Sequence, residues 1–329
     1  MSVVRISIPP ERCPTFRFAI SCGRLIPHRG GHRRHDPTMK PPPFKYVAAR
    51  SLDEAIDALA RADGDGKVLA GGQSLVPMLN FRLLEPAWLV DINRIPGLDG
   101  IRDAAGSVHI GALVRHKTTE CAALIAEHFP VVAVAMSHVA HFGVRNRGTI
   151  GGSLSHADPA AELPMLAMLL DAMMTTRSTH GARTIAAKDF FLGTLATALA
   201  PTEIVTEIAL PKLPDGTGWS FEEVSRRPGD FAVAAVAVTI TQQAGRCTDA
   251  RIALAGVGAT PMRFAKAERL LVGQSISADL ARAAAQIVRD DCEPQSDLHG
   301  SADYRRHLVG HLTSRGIDTA AERASGIRQ

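Results

Sequence analysis

The chain has 329 residues, 46% hydrophobic and 21% charged, which exceeds the usual size of one domain and sets two domains, each with its own core, as the expectation. No apolar run reaches the length of a transmembrane helix; the longest, PMLAMLLDAMM (164–174), carries a charge and suits a buried helix. The formal charge of +4 is unevenly placed, because residues 1–38 hold seven arginines and three histidines against Glu11 and Asp36; the remaining body is nearly neutral, which argues against nucleic-acid binding as its main business.

In chain order, the first 38 residues carry Pro9, Pro10, Pro14, Pro27 and Pro37 and the arginine-rich HRGGHRRHD (28–36). TFRFAISCGRLI (15–26) is too short and too polar for a signal-peptide core, and no small-residue cleavage site follows. The segment reads as a disordered extension or an upstream mis-start, with Met39 as the expected beginning; metal binding by His28, His32 and His35 is the weaker reading. SLDEAIDALARAD (51–63) is a helix, with Ser51 and Glu54 as a capping box and Leu52, Ala55, Ile56, Leu59 and Ala60 on one face. KVLAGG (67–72) is a short strand, LVPMLNFRL a turn of helix, and AWLVDINRI (87–95) and SVHIGALVRH (107–116) two further strands. Thr118 or Thr119 caps a helix through CAALIAEHF, and Pro130 starts another over VVAVAMSHVAHF. A helix over AAELPMLAMLLDA, hairpin strands MMTTRS and ARTIAAKDF, and the strand EIVTEIALP (203–211) follow. PKLPDGTG (211–218) is the boundary between domains. Beyond it WSFEEVSRR, FAVAAVAVTITQ (231–242) and DARIALAGVG (249–258) read as three antiparallel strands, and the remainder as helices. An α/β first part is therefore followed by a sheet-plus-helices second part.

Two stretches carry chemistry. AGGQSLVP (70–77) and TIGGSLSH (149–156) each hold a Gly-Gly pair, each follows residues able to run as a strand, and each precedes residues able to start a helix. Such a turn lets backbone N–H groups face an anion with no Cβ in the way, and Ser74, Thr149 and Ser153 add hydroxyls. One pair alone reads as a plain tight turn; two leave the tight-turn and pyrophosphate readings both open. GxGxxG, GK[ST] and GxSxG are absent, so neither a Rossmann or P-loop nucleotide site nor a serine-nucleophile elbow is indicated. His138 and His141 stand one helical turn apart, but packing or solvent-facing histidines are the favoured reading over a metal pair. Glu162 alone would be a first-turn acid favoured by the helix dipole. The methionines of 164–174 are core filling. The five cysteines (Cys13, Cys22, Cys121, Cys247, Cys292) are scattered with no CxxC, which argues for a reducing, cytoplasmic setting and against an iron–sulfur centre on this chain.

Taken together, AGGQSLVPMLNFRL…LVDI, VRNRGTIGGSLSHADPAAELP and FEEVSRRPGDFAVAAVAV resemble the FAD-binding medium subunit of molybdenum hydroxylases of the carbon monoxide dehydrogenase and xanthine dehydrogenase type, over roughly residues 40 to 325. The extension before Met39 has no counterpart there. The resemblance implies an α+β architecture: a vanillyl-alcohol-oxidase-type (PCMH-type) FAD-binding fold of two α/β subdomains over 39–215, then a C-terminal domain over 216–326 with a three-stranded antiparallel sheet and helices. It implies that Ala70, Gly71, Gly72, Gln73, Ser74 and Leu75, with Thr149, Ile150, Gly151, Gly152 and Ser153, hold non-covalent FAD; Ser153 stands where the family usually has asparagine. It places Glu162, thirteen positions after Thr149, beside the flavin with its charge kept, and Phe231 of the GDFA segment beside the isoalloxazine. No side chain is expected to act as an acid–base catalyst.

The implied function is electron transfer: a partner small subunit would pass electrons from iron–sulfur clusters to FAD, a large molybdopterin-binding subunit would hydroxylate the substrate, and a quinone, NAD or oxygen would be the final acceptor. The assembly expected is a dimer of heterotrimers. A stand-alone flavin oxidase or dehydrogenase of the same fold and a non-redox nucleotide-binding module are the alternatives.

Overall fold

Ser51 shows how local sequence sets the first layer. Its Oγ accepts the Glu54 N–H at 3.1 Å at the start of α1 (Leu52–Arg61). The Glu54 carboxylate reaches back to the Arg50 N–H at 2.8 Å, one residue earlier than in a standard capping box. The computed structural model describes residues 40–327; the expectations for the N-terminal segment, its cysteines and its histidines lie outside the described residues. Strands β1 (Lys45–Ala48), β2 (Gly66–Leu69) and β3 (Trp88–Asp91) form a parallel sheet in the order β1-β3-β2, and the six-residue α2 (Leu75–Asn80) lies between β2 and β3. Helix α1 buries Ala55, Ile56, Ala58 and Leu59 in a core shared with Val90, Ile92 and Leu113. Because the strands are parallel, their C-terminal ends share one edge, where open α/β sheets present their ligand loops. Leu69 pairs with Asp91 there, and both strands run out beside one another.

The second layer is antiparallel: β4 (Ile101–Ala104), β5 (Ser107–Gly111), β6 (Met173–Ser178), β7 (Gly181–Ala186) and β10 (Ile204–Pro211), ordered β4-β5-β10-β6-β7, with a small hairpin β8 (Phe191–Gly193) and β9 (Ala196–Thr197). Between β5 and β6 run α3 (His116–Cys121), α4 (Ala123–His128), α5 (Pro130–Met136), α6 (Phe142–Arg145), α7 (Ile150–His156) and α8 (Glu162–Leu169); α9 (Ala187–Phe190) follows β7. Three expectations change here. Neither Thr118 nor Thr119 is a cap: the helix starts at His116, Thr119 Oγ1 donates back to the Arg115 carbonyl at 3.2 Å, and extended Ala122 splits the run into α3 and α4. Helix α5 begins at Pro130 as expected but stops at Met136, where Ser137 Oγ takes the Val134 carbonyl at 2.7 Å and Ala140 turns left-handed at φ 44°. His138 and His141 are therefore not neighbours on a helix. The second glycine pair follows α6 rather than a strand, and its extended pairing is a single bridge between Arg115 and Thr149. Met165 is fully buried and Met168 packs at the core edge, the filling role expected of them.

The third layer holds three long antiparallel strands, β11 (Thr217–Ser225), β12 (Ala232–Gln243) and β13 (Arg246–Ala255), to which the two-residue β14 (Met262–Arg263) adds an edge. Helices α10 (Ala265–Leu271), α11 (Ala278–Asp291) and α12 (Ala302–Ala324) follow. Strand β12 is buried on both faces, so its sequence is a continuous apolar run. Ala234, Val236, Val238 and Ile240 join the core of α11 and α12, while Ala235 and Ala237 join the core that contains α8. Among the described residues no helix is long and apolar enough to cross a membrane.

Candidate functional site

Both glycine pairs open on one cavity of about 500 Å³, a volume typical of cofactor pockets. Ala70, Gly71, Gly72, Gln73, Ser74 and Leu75 line it from the end of β2, and Thr149, Gly151, Gly152 and Ser153 line it from the start of α7. Glu162 at the start of α8 and Phe231 just before β12 complete the wall. Ile150 does not belong with them: its side chain is 3% exposed and lies in the hydrophobic core.

Within each pair the two glycines do different work. A Cβ at Gly71 would collide with the Arg147 carbonyl oxygen, so the first loop and the lead-in to the second are in backbone contact. A Cβ at Gly151 would stand 2.6 Å from that of Ala112. These first members are close-packing positions. Gly72 needs glycine for its conformation, φ +72°, while a Cβ at Gly152 would press on Thr149 Oγ1 at 2.7 Å.

The loops also differ in what they offer a ligand. In the first, the chain turns at Gly72 and the Val76 N–H bonds the Gly72 carbonyl at 3.0 Å. No acceptor among the described residues takes the N–H of Gly72, Gln73 or Ser74, and the Ser74 hydroxyl makes no cap. Gln73 folds its amide onto the Gly71 carbonyl at 3.0 Å. In the second loop, the Ile150 N–H donates to the Val114 carbonyl at 3.0 Å, the Gly151 N–H to the Ala112 carbonyl at 2.9 Å, and the Gly152 N–H to Thr149 Oγ1 at 3.1 Å. Its amides are committed to the protein, so it presents the bare Cα of Gly152 and the Ser153 hydroxyl. Among the described residues, Lys67 is the only lysine or arginine on the wall. The histidines there carry little charge at neutral pH: burial pushes His116 down to about 4 and lowers His156 as well. An anion in this cavity would be held by amides and hydroxyls.

Glu162 is 5% exposed, and burial pushes its carboxyl up to about 7, with Glu223 adding to the rise and His138 opposing it. The side chain is thus partly protonated at neutral pH, where the sequence suggests a retained charge. His138 lies 3.7 Å from Glu223 and 5.0 Å, ring to ring, from Phe221. That contact with Glu223 raises the imidazole pKa against the effect of burial. Phe231 is 60% exposed at the cavity and follows Gly229, whose φ of +87° packs it under the Ala140 carbonyl. His116, Gly148, His156, Asp158, Leu195 and Leu199 also reach the wall. Gly148, His156 and Asp158 flank or end α7 within the second motif stretch, whereas His116, Leu195 and Leu199 come from elsewhere in the chain and no spacing marks them.

An amide-and-hydroxyl cradle joined to an exposed aromatic ring suits a ligand that is anionic in the middle and flat at one end, and FAD meets that description. Residues 42–213 match the FAD binding domain in molybdopterin dehydrogenase, and residues 219–320 match the CO dehydrogenase flavoprotein C-terminal domain. The chain is 42% identical over 293 residues to the 6-hydroxypseudooxynicotine dehydrogenase complex subunit alpha of Paenarthrobacter nicotinovorans, covering 88% of this chain and 99% of the relative. It is 39% identical over 285 residues to the nicotine 6-hydroxylase medium subunit of the same organism, covering 87% and 100%. A carbon monoxide dehydrogenase structure from Hydrogenophaga pseudoflava, lacking the Mo-pyranopterin moiety of its molybdenum cofactor, aligns with a TM-score of 0.84 at 39% identity over 86% of this chain and 99% of that one. The chain belongs to the family of FAD-binding medium subunits of molybdenum hydroxylases, and FAD is its cofactor.

Proposed function

We propose that this chain is the electron-transfer subunit of a heterotrimeric, cytoplasmic molybdenum hydroxylase, taking electrons from iron–sulfur clusters on a small partner and passing them through FAD to a quinone, NAD or oxygen. A large molybdopterin-binding partner would hydroxylate the substrate, and the assembly would be a dimer of heterotrimers. The observation that carries this reading is the single cavity walled by both glycine loops and Phe231. The names of the relatives, one a subunit of a complex and one a medium subunit, support the partners. Domains over 39–215 and 216–326 divide the labour, the first forming most of the cavity wall and the second contributing Gly229, Asp230 and Phe231 to it.

When bound, FAD supplies the ability to exchange electrons singly or in pairs. The chain's residues bind and orient it. The open amides of Gly72, Gln73 and Ser74 and the hydroxyls of Ser74 and Ser153 would receive the pyrophosphate region without a covalent link. Gly152 would keep the second wall low enough for close approach. Phe231 would cover the ring system by stacking. Glu162, buried at the cavity wall, would hold a proton at its carboxyl.

The test is purification of the full chain with whatever subunits accompany it. A flavin absorbance spectrum with FAD released on denaturation, together with a molybdenum-bearing large chain and an iron-bearing small chain, is the expected result. A folded protein that takes up no FAD would overturn the reading. Flavin-bearing protein that purifies alone and oxidises a small substrate would favour the stand-alone flavoenzyme.

A further inference from the structure

We propose that Asn93 and Arg115 form a clasp that fixes the spacing of the two glycine loops and thereby sets the affinity for FAD; the proposal rests on the FAD reading above. Neither residue lines the cavity. Asn93 lies two residues beyond the end of β3, on the sheet edge where β2 runs into the first loop. Its amide is oriented by Asp91: Oδ1 of Asp91 accepts the Asn93 backbone N–H at 2.8 Å and Nδ2–H at 2.7 Å, while the Tyr46 hydroxyl holds Asp91 Oδ2 at 2.6 Å. With that end fixed, Nδ2 also donates to the Ala70 carbonyl at 2.8 Å, gripping the first loop at its root. The amide oxygen is left facing the other way, where Arg115 Nη2 donates to it at 2.8 Å.

Arg115 completes the span. Its Nη1 donates to the Arg147 carbonyl at 2.6 Å, the same oxygen against which Gly71 is packed. The next residue continues the grip: the His116 N–H bonds the Gly148 carbonyl at 3.0 Å and His116 Nε2 bonds the Thr149 carbonyl at 3.0 Å. Three consecutive carbonyls leading into the second loop are thus held by one dipeptide. The guanidinium is the piece that joins this grip to Asn93. Its rigid fork can donate to two acceptors at once from one plane, which a lysine ammonium on a flexible stem does not reproduce. Asn93 and Arg115 are positioning residues: they touch the loops, and the loops would touch the cofactor.

The experiment strips FAD from the full-length protein, with any co-purified subunits, and titrates FAD back by flavin fluorescence beside R115M, R115K, N93A and the N93A/R115M double variant. R115M and N93A are each expected to weaken FAD binding by about tenfold or more, because binding must then supply the loop ordering that the clasp provides in advance. R115K should fall with R115M, because charge alone does not span the gap. The double variant should bind no worse than the weaker single one, as for two parts of one device. The melting temperature of the FAD-free protein should stay within about 3 °C of wild type. Wild-type affinity in R115K, or losses that multiply in the double variant, would overturn the clasp. So would an affinity loss matched by a collapse in the melting temperature of the FAD-free form. Should R115M fail to fold, N93D carries the test, since it removes the donor to Ala70 while keeping an acceptor for Arg115; unchanged affinity there overturns the proposal. A folded wild type that binds no FAD sinks the FAD reading and the clasp with it.

Discussion

Glu162 is the residue whose surroundings most alter its chemistry. Burial lifts its carboxyl to about 7 from an ordinary value of 4.5, so the folded protein prefers the neutral acid. A carboxyl raised in this way contributes stability that is fully present below pH 4.5 and lost as the pH rises through about 7. Glu162→Gln, which stays neutral, should match the wild type near pH 5 and exceed it above pH 7, by on the order of 1–3 kcal/mol. Melting temperatures of the FAD-free proteins across pH 5 to 8.5 measure this. A glutamine variant less stable than wild type at pH 8 would show that the carboxylate has a partner that repays its burial. The position of Glu162 was legible in the sequence, but its protonation was not. The groups that set it, Glu223 on β11 and His138 in the turn after α5, are separated from it and from one another in the chain and meet only in the folded protein.

At the scale of elements, α12 shows how a long helix is fastened to a sheet. Gly218 on β11 has no room for a Cβ against the helix backbone at Ala320 and Ala324, and a Cβ at Gly316 would stand 2.9 Å from Ser220 Oγ. Arg305, 5% exposed, then crosses to the strand ends: Nη1 donates to the Val233 carbonyl at 2.6 Å and to the Gly256 carbonyl at 2.7 Å, and Nη2 pairs with Asp297 at 2.7 Å. Arg305→Met should cost about 2–4 kcal/mol, because two carbonyls lose their donor and Asp297 loses its ion pair. Urea unfolding of the variant checks this, and an unchanged midpoint would mean that water replaces the guanidinium freely. Elements with a strong period were readable in advance: α1 by its cap and apolar face, and β12 by its unbroken apolar run. The early end of α5 was not, because Ser137 and Ala140 complete a turn in a stretch that otherwise reads as helix. Two-residue β14 is too short to carry a pattern.

Across the whole molecule, the two-faced burial of β12 ties the C-terminal helices to the layer that carries α8 and Glu162, so the part that supplies Phe231 is welded to the part that supplies the glycine loops. The sequence motifs announced both loops and the family, since glycine pairs, hydroxyls and GDFA are contiguous words. The brace between the loops was illegible, because Asn93 and Arg115 lie far apart and neither belongs to a motif, while Arg147, at the head of the second motif, takes part only through its backbone carbonyl. The motifs also look alike where the loops are not. The amides of the second loop are bonded within the protein, whereas no acceptor among the described residues takes those of Gly72, Gln73 and Ser74 in the first. Deuterium uptake should expose this difference as a matter of timing. In FAD-free protein the amides of Gly72, Gln73 and Ser74 should exchange almost at the rate of an open chain and slow by about tenfold or more once FAD is added, while those of Ile150, Gly151 and Gly152 should be protected before and after. Equal protection of both loops without FAD would contradict it. On the proposed binding mode, a cofactor would meet one loop whose amides are already bonded and one whose position is braced but whose amides its phosphates would complete, and that last step should govern how fast the holoprotein forms.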